Sequence, residues 1–240
     1  MDKKIFDRIE KKYLITPAIK KEIFDLAVKN MKRDKYFRSE VFNVYFDTDN
    51  YDLIIKSIDN PDFKEKLRAR AYGGHDKVFL EIKTKLKQGS VRVGYKRRVL
   101  ITHGDYRKFI AKEKTAVELA SSKIESGNDL QIAGEVDYLV NYFDLKPKIL
   151  VYYNRTSFVD EGGLRVTFDE NLSFRDSDFT FKRKVHDKHY FNGKKCIIME
   201  VKTNGGMPLW LVKVLTKHKA FPERFSKIGK VYELIKKGEE

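Results

Sequence analysis

The chain has 240 residues, enough for one large domain or two small ones, and 41% of them are hydrophobic and 13% aromatic. This composition can supply a sizeable core and excludes a disordered polyelectrolyte. Lys and Arg number 50 against 35 Asp and Glu, so the net charge is +15. Such a charge indicates either a Lys-rich solvated surface or a polyanionic partner such as nucleic acid, phosphorylated metabolites or an acidic membrane.

Several features bear on the cellular compartment. The single cysteine, Cys196, excludes an intramolecular disulfide. The opening MDKKIFDRIEKKYLI lacks the apolar stretch and cleavage site of a signal peptide, and no apolar run approaches the ~20 residues of a membrane span. We therefore expect a cytoplasmic protein, and because the chain shows no repeat or low-complexity linker, we expect a single domain over residues 1–240.

Alternation of apolar and polar residues with period two predicts strands along much of the chain. In chain order they lie near residues 5–15, 38–47, 63–72, 77–86, 91–100, 148–159, 163–171 and 194–202. Gly73-Gly74 and Gly162-Gly163 occupy predicted hairpins, where residues that tolerate positive φ are favoured.

Helical patterns fall between and after the strands. Thr16 and Pro17 are typical of a helix cap and first helical residue, and a second helix is expected near Pro208. A third helix is predicted from about Glu223, with Phe225, Ile228 and Ile235 on one face, and residues 104–143 look mostly helical. Strands joined by hairpins, with helices kept apart from them, indicate the α+β class.

The two faces of the predicted strands differ sharply in charge. One face of the segment KEKLRARAY carries only cations, Lys64, Lys66, Arg68 and Arg70. Cations also outnumber acids on one face of three other segments, where the charged residues are Arg8, Glu10 and Lys12; Glu81, Lys83 and Lys85; and Arg92, Lys96 and Arg98, while a further segment carries Glu200 and Lys202. Neighbouring cations in one row repel each other, by about 1 kcal/mol per close pair in water.

Two structures are compatible with this alternation. The charged faces could simply meet water, although solvated faces usually mix both signs with neutral polar residues. Alternatively, the strands form a closed barrel with its apolar faces beneath helices and its charged faces lining a wet interior. A dry interior is excluded, because each unpaired buried ion costs several kcal/mol. Such an interior would attract an anion of high charge density.

A set of short motifs occurs in order along nearly the whole chain: RIEKKYLI, LRARAYGG, FLEIKTK, VGYKRRVL, VYYNRTSFVD, LRVTFDENLSFR, IIMEVKTN and ERFSKIGKVYEL. Together they resemble the VTC (vacuolar transporter chaperone) polyphosphate polymerase domain, of the CYTH and triphosphate tunnel metalloenzyme superfamily. The chain resembles a stand-alone, prokaryotic-type version of that domain. The resemblance implies a closed, antiparallel, eight-stranded tunnel barrel that transfers the γ-phosphoryl group of ATP to phosphate or a growing polyphosphate chain, using Mn²⁺ or Mg²⁺.

The resemblance also implies roles for residues at matching positions. Catalytic roles fall on Arg68, Arg70, Lys83, Arg155, Arg165 and Glu200. Substrate-binding roles fall on Lys12, Arg92, Lys96, Arg98, Lys202, Lys227 and Lys230. Glu200 is the expected metal ligand, with Glu10 and Glu81 as possible second ligands. Guanidinium groups suit phosphate oxygens, and carboxylates suit hard divalent cations.

One departure bears on the type of reaction. CYTH phosphatases typically begin with Glu-x-Glu-x-Lys, whereas this chain has Arg8-Ile9-Glu10-Lys11-Lys12, with a cation in place of the first acid. This favours a polymerase over a metal-dependent hydrolase of tripolyphosphate or nucleoside triphosphates, which stays an alternative. A non-enzymatic module that binds polyphosphate or RNA is the third possibility, although no nucleic-acid partner is expected because few aromatic residues lie on the basic faces. The sequence leaves the oligomeric state open.

Overall fold

A computed structural model describes residues 9–59, 62–89, 91–121, 127–190 and 196–238, apart from the side chains of a few residues beside the gaps. The strands are β1 Ile9–Ile15, β2 Lys32–Asp47, β3 Phe63–Tyr72, β4 Val78–Gln88, β5 Val91–Ile101, β6 Lys146–Val159, β7 Arg165–Arg175, β8 Lys188–His189 and β9 Ile197–Thr203. The helices are α1 Pro17–Asn30, α2 Asp52–Ile58, α3 His103–Ile110, α4 Ala116–Ser121, α5 Gly127–Tyr142, α6 Leu209–Lys217 and α7 Lys227–Gly238.

Hydrogen bonds join the strands in the order β1-β9-β7-β6-β2-β3-β4-β5, and β8 pairs with β7. The pairs β1–β9, β7–β9, β2–β3, β3–β4 and β4–β5 are antiparallel. The predicted α+β class and antiparallel sheet are therefore present. Within the described ranges this path of paired strands has two ends, β1 and β5, so the predicted closed barrel is not confirmed.

The chain divides into two compact units. Unit 1 takes its described residues from 1–40, 153–173 and 189–225, and unit 2 takes them from 41–152, 174–188 and 226–240. Each unit has a core of its own. The expectation of a single domain stays a prediction.

In unit 1, the apolar faces of the strands pack beneath two helices. Strands β1, β7 and β9 supply alternate residues such as Tyr13, Phe168 and Met199, each at most 2% exposed. Helix α1 begins as predicted, because the Thr16 hydroxyl accepts a hydrogen bond from the backbone N–H of Ile19. Helix α6 follows Pro208, also as predicted, and adds further core residues, Leu211, Val214 and Leu215.

In unit 2, the apolar faces of β3, β4 and β5 pack against α3, α4 and α5. Leu67, Leu80 and Ile82 are fully buried, and burying each such side chain contributes about 1.5–3 kcal/mol. The three helices match the predicted helical region 104–143, except that α3 begins one residue earlier, at His103. Helix α7 begins at Lys227 and not near Glu223, so Phe225 precedes it, while Ile228 and Ile235 are buried as expected.

A short helix, α2, was not predicted. The carboxylate of Asp47, at the end of β2, accepts hydrogen bonds from the backbone N–H groups of Thr48, Leu53 and Ile54. The bonds from Leu53 and Ile54 satisfy N–H groups that a helix start leaves unpaired. Because Asp47 lies five residues before α2, the usual capping pattern next to a helix start is absent, and the sequence does not predict this helix.

Both predicted glycine turns need glycine. Gly74 has φ +77° and Gly163 has φ +87°. At Gly163 a Cβ atom would also lie 2.2 Å from the side-chain nitrogen of Asn204, so a larger residue would clash as well as strain the backbone.

Among the described residues, none of the helices has both the length and the apolar character needed to cross a membrane.

Candidate active site

The polar face of β3, β4 and β5 in unit 2, called here the basic face, is built by strand register. Arg68 on β3 lies between Tyr45 on β2 and Glu81 on β4. Glu81 in turn lies opposite Arg98 on β5. One step along, Lys66 lies opposite Lys83, and Lys83 opposite Lys96. Among the described side chains of these three strands, the charged residues of this face are eight cations and one acid: Lys64, Lys66, Arg68, Arg70, Glu81, Lys83, Lys85, Lys96 and Arg98.

Glu81 is the anionic centre of the basic face. Its Oε2 accepts hydrogen bonds from Nε (2.8 Å) and Nη2 of Arg68, and its Oε1 lies 3.7 Å from Nζ of Lys96. Glu81 is 1% exposed. Burial alone would raise its pKa, but the charges of Arg68, Arg70 and Lys96 outweigh burial and lower the pKa to about 2. The carboxylate therefore stays ionised and offsets part of the repulsion among these cations.

The guanidinium groups around Glu81 are held in defined orientations. Nε of Arg70 donates to Oδ1 of Asn43 at 2.8 Å, and the Arg98 guanidinium lies 4.5 Å from the ring centre of Phe79. Such fixed planar donors can each offer two N–H groups to a phosphate. The basic face is thus prepared to bind several anionic oxygens at once.

Unit 1 carries a second polar face, called here the ion-paired face, on which acids and cations pair with each other. Its described charged residues include Glu10, Lys12, Asp34, Arg155, Arg165, Asp169, Glu200 and Lys202. Arg155 makes a two-pronged contact with the fully buried Asp169, at 2.7 and 2.8 Å. Arg165 donates to Asp34 at 2.6 Å and to the Ser157 hydroxyl at 3.2 Å.

The carboxylates of the ion-paired face include the candidate metal ligands. Nζ of Lys202 lies 2.8 Å from Glu200 and 3.4 Å from Glu10, so both carboxylates converge on one cation. Burial opposes ionisation of Glu10, but Lys12 and Lys202 outweigh it and lower its pKa to about 2. The buried hydroxyl of Thr167, directly opposite Glu200, has no hydrogen-bond partner among the described residues.

The predicted site residues thus fall into groups. Arg68, Arg70, Glu81, Lys83, Lys96 and Arg98 share the basic face, and Glu10, Lys12, Arg155, Arg165, Glu200 and Lys202 share the ion-paired face. Lys227 and Lys230 lie on α7 of unit 2, where Lys230 pairs with Glu233 at 2.9 Å. The side chain of Arg92 and the whole of Arg8 lie outside the described residues.

Sequence reasoning missed the acids that hold the arginines of unit 1. Asp169 lies four residues after Arg165 on β7, so the period-two alternation places both side chains on the same face and could have indicated an acid among the arginines. Asp34 lies 131 residues from its partner Arg165, and no local pattern could have joined them. Arg155 and Arg165, which were expected to bind substrate, are therefore held in ion pairs with acids of unit 1.

The sequence profile of the VTC domain matches residues 7–235. The chain belongs to the VTC domain family. This VTC domain is 26% identical over 145 residues to vacuolar transporter chaperone complex subunit 4 of Schizosaccharomyces pombe, a match that covers 55% of the chain. It is 28% identical over 163 residues to subunit 4 of Trypanosoma cruzi, covering 59% of the chain. Each match spans only 20% of the relative's length.

A solved structure supports the fold of this VTC domain. The similar protein comes from Hippeastrum and is described as an adenylyl cyclase candidate with a dominant triphosphatase activity. The match has a TM-score of 0.51 and 16% identity, and it covers 96% of both chains. At that identity the likeness shows a shared fold.

Proposed function

We propose that this VTC domain is a polyphosphate polymerase that transfers the γ-phosphoryl group of ATP to phosphate or a growing polyphosphate chain, with a divalent metal ion. The observation that carries the proposal is the basic face, on which eight described cations surround one buried acid. Membership of the VTC domain family supports the same function. Closure of the sheet into a barrel and a cytoplasmic location stay predictions.

The chemistry of phosphoryl transfer suits such a face. The transition state is loose, so an enzyme mainly positions the phosphates and neutralises the charge that develops on their oxygens. We assign Arg68, Arg70 and Arg98 to the phosphates of ATP, since their guanidinium groups are already oriented. Lys83 and Lys96 add positive charge on the same face. The acceptor phosphate is anionic already, so the proposal includes no general base.

In unit 1, we propose Glu200 and Glu10 as the metal ligands. The two carboxylates converge on one ammonium group, that of Lys202, and a divalent ion would have to displace it. The Thr167 hydroxyl, which has no hydrogen-bond partner among the described residues, lies opposite Glu200 and could serve as a further oxygen ligand. Mg²⁺ and Mn²⁺ take few protein carboxylates and complete their coordination with water and phosphate oxygens, so two ligands suffice, although the described residues hold no cluster of three. A bound ion would polarise phosphoryl oxygens.

Glu81 does not fit a metal ion. Its buried carboxylate faces Arg68, Arg70 and Lys96, which would repel a divalent cation. We assign Glu81 to holding the cations in place. Lys12, Arg155, Arg165 and Lys202 are proposed to contact substrate when it displaces part of their ion pairs, and Arg92, Lys227 and Lys230 stay predicted substrate contacts.

Incubation of the purified protein with ATP and Mn²⁺, followed by gel electrophoresis of the products, tests the proposal. A ladder of acid-labile phosphate chains that disappears with EDTA is the expected result. Free orthophosphate without a ladder would show a hydrolase in place of a polymerase. Tight polyphosphate binding without turnover of ATP would show a binding module.

A further inference from the structure

A row of lysines crosses the basic face. Lys66, Lys83 and Lys96 lie directly opposite one another on β3, β4 and β5, and the neighbouring pair Lys64–Lys85 repeats the pattern one step along. Side chains directly opposite on antiparallel strands have Cβ atoms about 4.5–5.5 Å apart, and like charges at this distance destabilise a sheet. Because the facing pairs Lys66–Lys83 and Lys64–Lys85 lie side by side, the row indicates a binding site for an anionic ligand.

Lys66 is the least compensated member of this row. It is only partly exposed, and no described residue forms a hydrogen bond or ion pair with it. Burial, together with the charges of Lys64, Lys85 and Arg68, outweighs a favourable interaction with Tyr45 and lowers the pKa of Lys66 to about 8. An ammonium group in this position lacks the counter-charge that Glu81 gives to Arg68.

A structural role does not explain Lys66. Its neighbours along β3 on the same face, Lys64 and Arg68, are also cationic, so the ammonium gains nothing from them. The apolar core of unit 2 lies on the opposite face, with Leu67 and Ile82. A neutral side chain of similar length would pack in the same place without the repulsion.

We propose that Lys66 binds a phosphate group of the polyphosphate or triphosphate substrate, as the third lysine of the row with Lys83 and Lys96. This assignment rests on the proposed function. Lys66 lies one residue before the motif LRARAYGG, so it is not among the residues to which the resemblance gives a role. The ligand class is a linear condensed phosphate, whose closely spaced charges can neutralise several ammonium groups together.

Binding of inorganic tripolyphosphate, measured by calorimetry at pH 7, tests the proposal. Lys66→Met should bind on the order of tenfold more weakly, since one charge-assisted contact is lost. Lys66→Arg should retain affinity within about threefold, because it keeps the charge. Lys56→Met, the same change on the exposed side of α2, is the matched control and should bind like the wild type.

The melting temperature separates a binding role from a structural one. Lys66→Met should melt at the same temperature as the wild type or higher, because it removes repulsion. Equal binding by Lys66→Met and Lys56→Met, or a large fall in melting temperature for Lys66→Met, would overturn the assignment of Lys66 and leave the proposed function standing. Failure of the wild type itself to bind tripolyphosphate would overturn both.

Discussion

At the scale of single residues, the carboxylates have different tasks. Glu81 is buried among cations of the basic face, whereas Glu200 lies on the ion-paired face with an ammonium group and an unpaired hydroxyl nearby. The first carboxylate is enclosed by positive charge, and the second is placed where another cation could bind. Substitution by the isosteric amide should separate the two tasks.

Glu81→Gln should destabilise the protein by about 3–5 kcal/mol, because it leaves the buried Arg68 without its counter-ion. The free energy of unfolding from urea denaturation measures this loss. Glu113→Gln, at an exposed position, is the control and should change stability by less than about 0.5 kcal/mol. Equal stability of the two variants would contradict the role given to Glu81.

Glu200→Gln should abolish turnover that depends on Mn²⁺ and keep the binding of polyphosphate. The amide oxygen is a much weaker ligand for a hard divalent cation, while the cations of the basic face are untouched. Product formation from ATP and calorimetric binding of polyphosphate are the two measurements. Turnover at the wild-type rate would remove Glu200 from the site.

At the scale of elements, strands that depend on a local pattern were predicted well, whereas features that depend on residues distant in the sequence were missed. Strands β3, β4 and β5 match their predicted bounds within two residues, because alternation is a local property of the chain. Helix α2 and the Arg165–Asp34 ion pair depend on residues brought together by folding, and they were missed. The cation-rich rows were predicted, but not which arginines would be neutralised.

Asp47 provides a test at this scale. Asp47→Ala should destabilise the protein by about 2 kcal/mol, because two backbone N–H groups at the start of α2 and the backbone N–H of Thr48 lose their acceptor. The loss should be seen as a lower midpoint of urea denaturation. Asp25→Ala, on the exposed side of α1, should leave that midpoint unchanged. A midpoint for Asp47→Ala as high as that of the control would mean that α2 does not depend on this cap.

At the scale of the whole molecule, ionisation links stability to pH. The pKa of Glu81 and that of Glu10 are each lowered from 4.5 to about 2, so the unfolded chain takes up protons before the folded protein does. The stability they contribute is present above pH 4.5 and is lost as the pH falls toward 2. For the buried Glu81 the loss should approach roughly 3 kcal/mol.

Urea denaturation at pH 7, 4 and 3 measures this acid sensitivity. The free energy of unfolding should decrease at each step, and the decrease should be smaller for Glu81→Gln, which cannot take up the proton. Identical acid profiles for the variant and the wild type would show that other groups control the loss.

The facing lysine pairs Lys64–Lys85 and Lys66–Lys83 have a further consequence. Because like charges face each other across β3 and β4, we expect a bound condensed phosphate to offset part of this repulsion and to tighten the pairing of the two strands. Binding to the native state alone raises stability by mass action. Amide hydrogen exchange along β3 and β4 should therefore slow when tripolyphosphate is added, and it should slow much less in Lys66→Met.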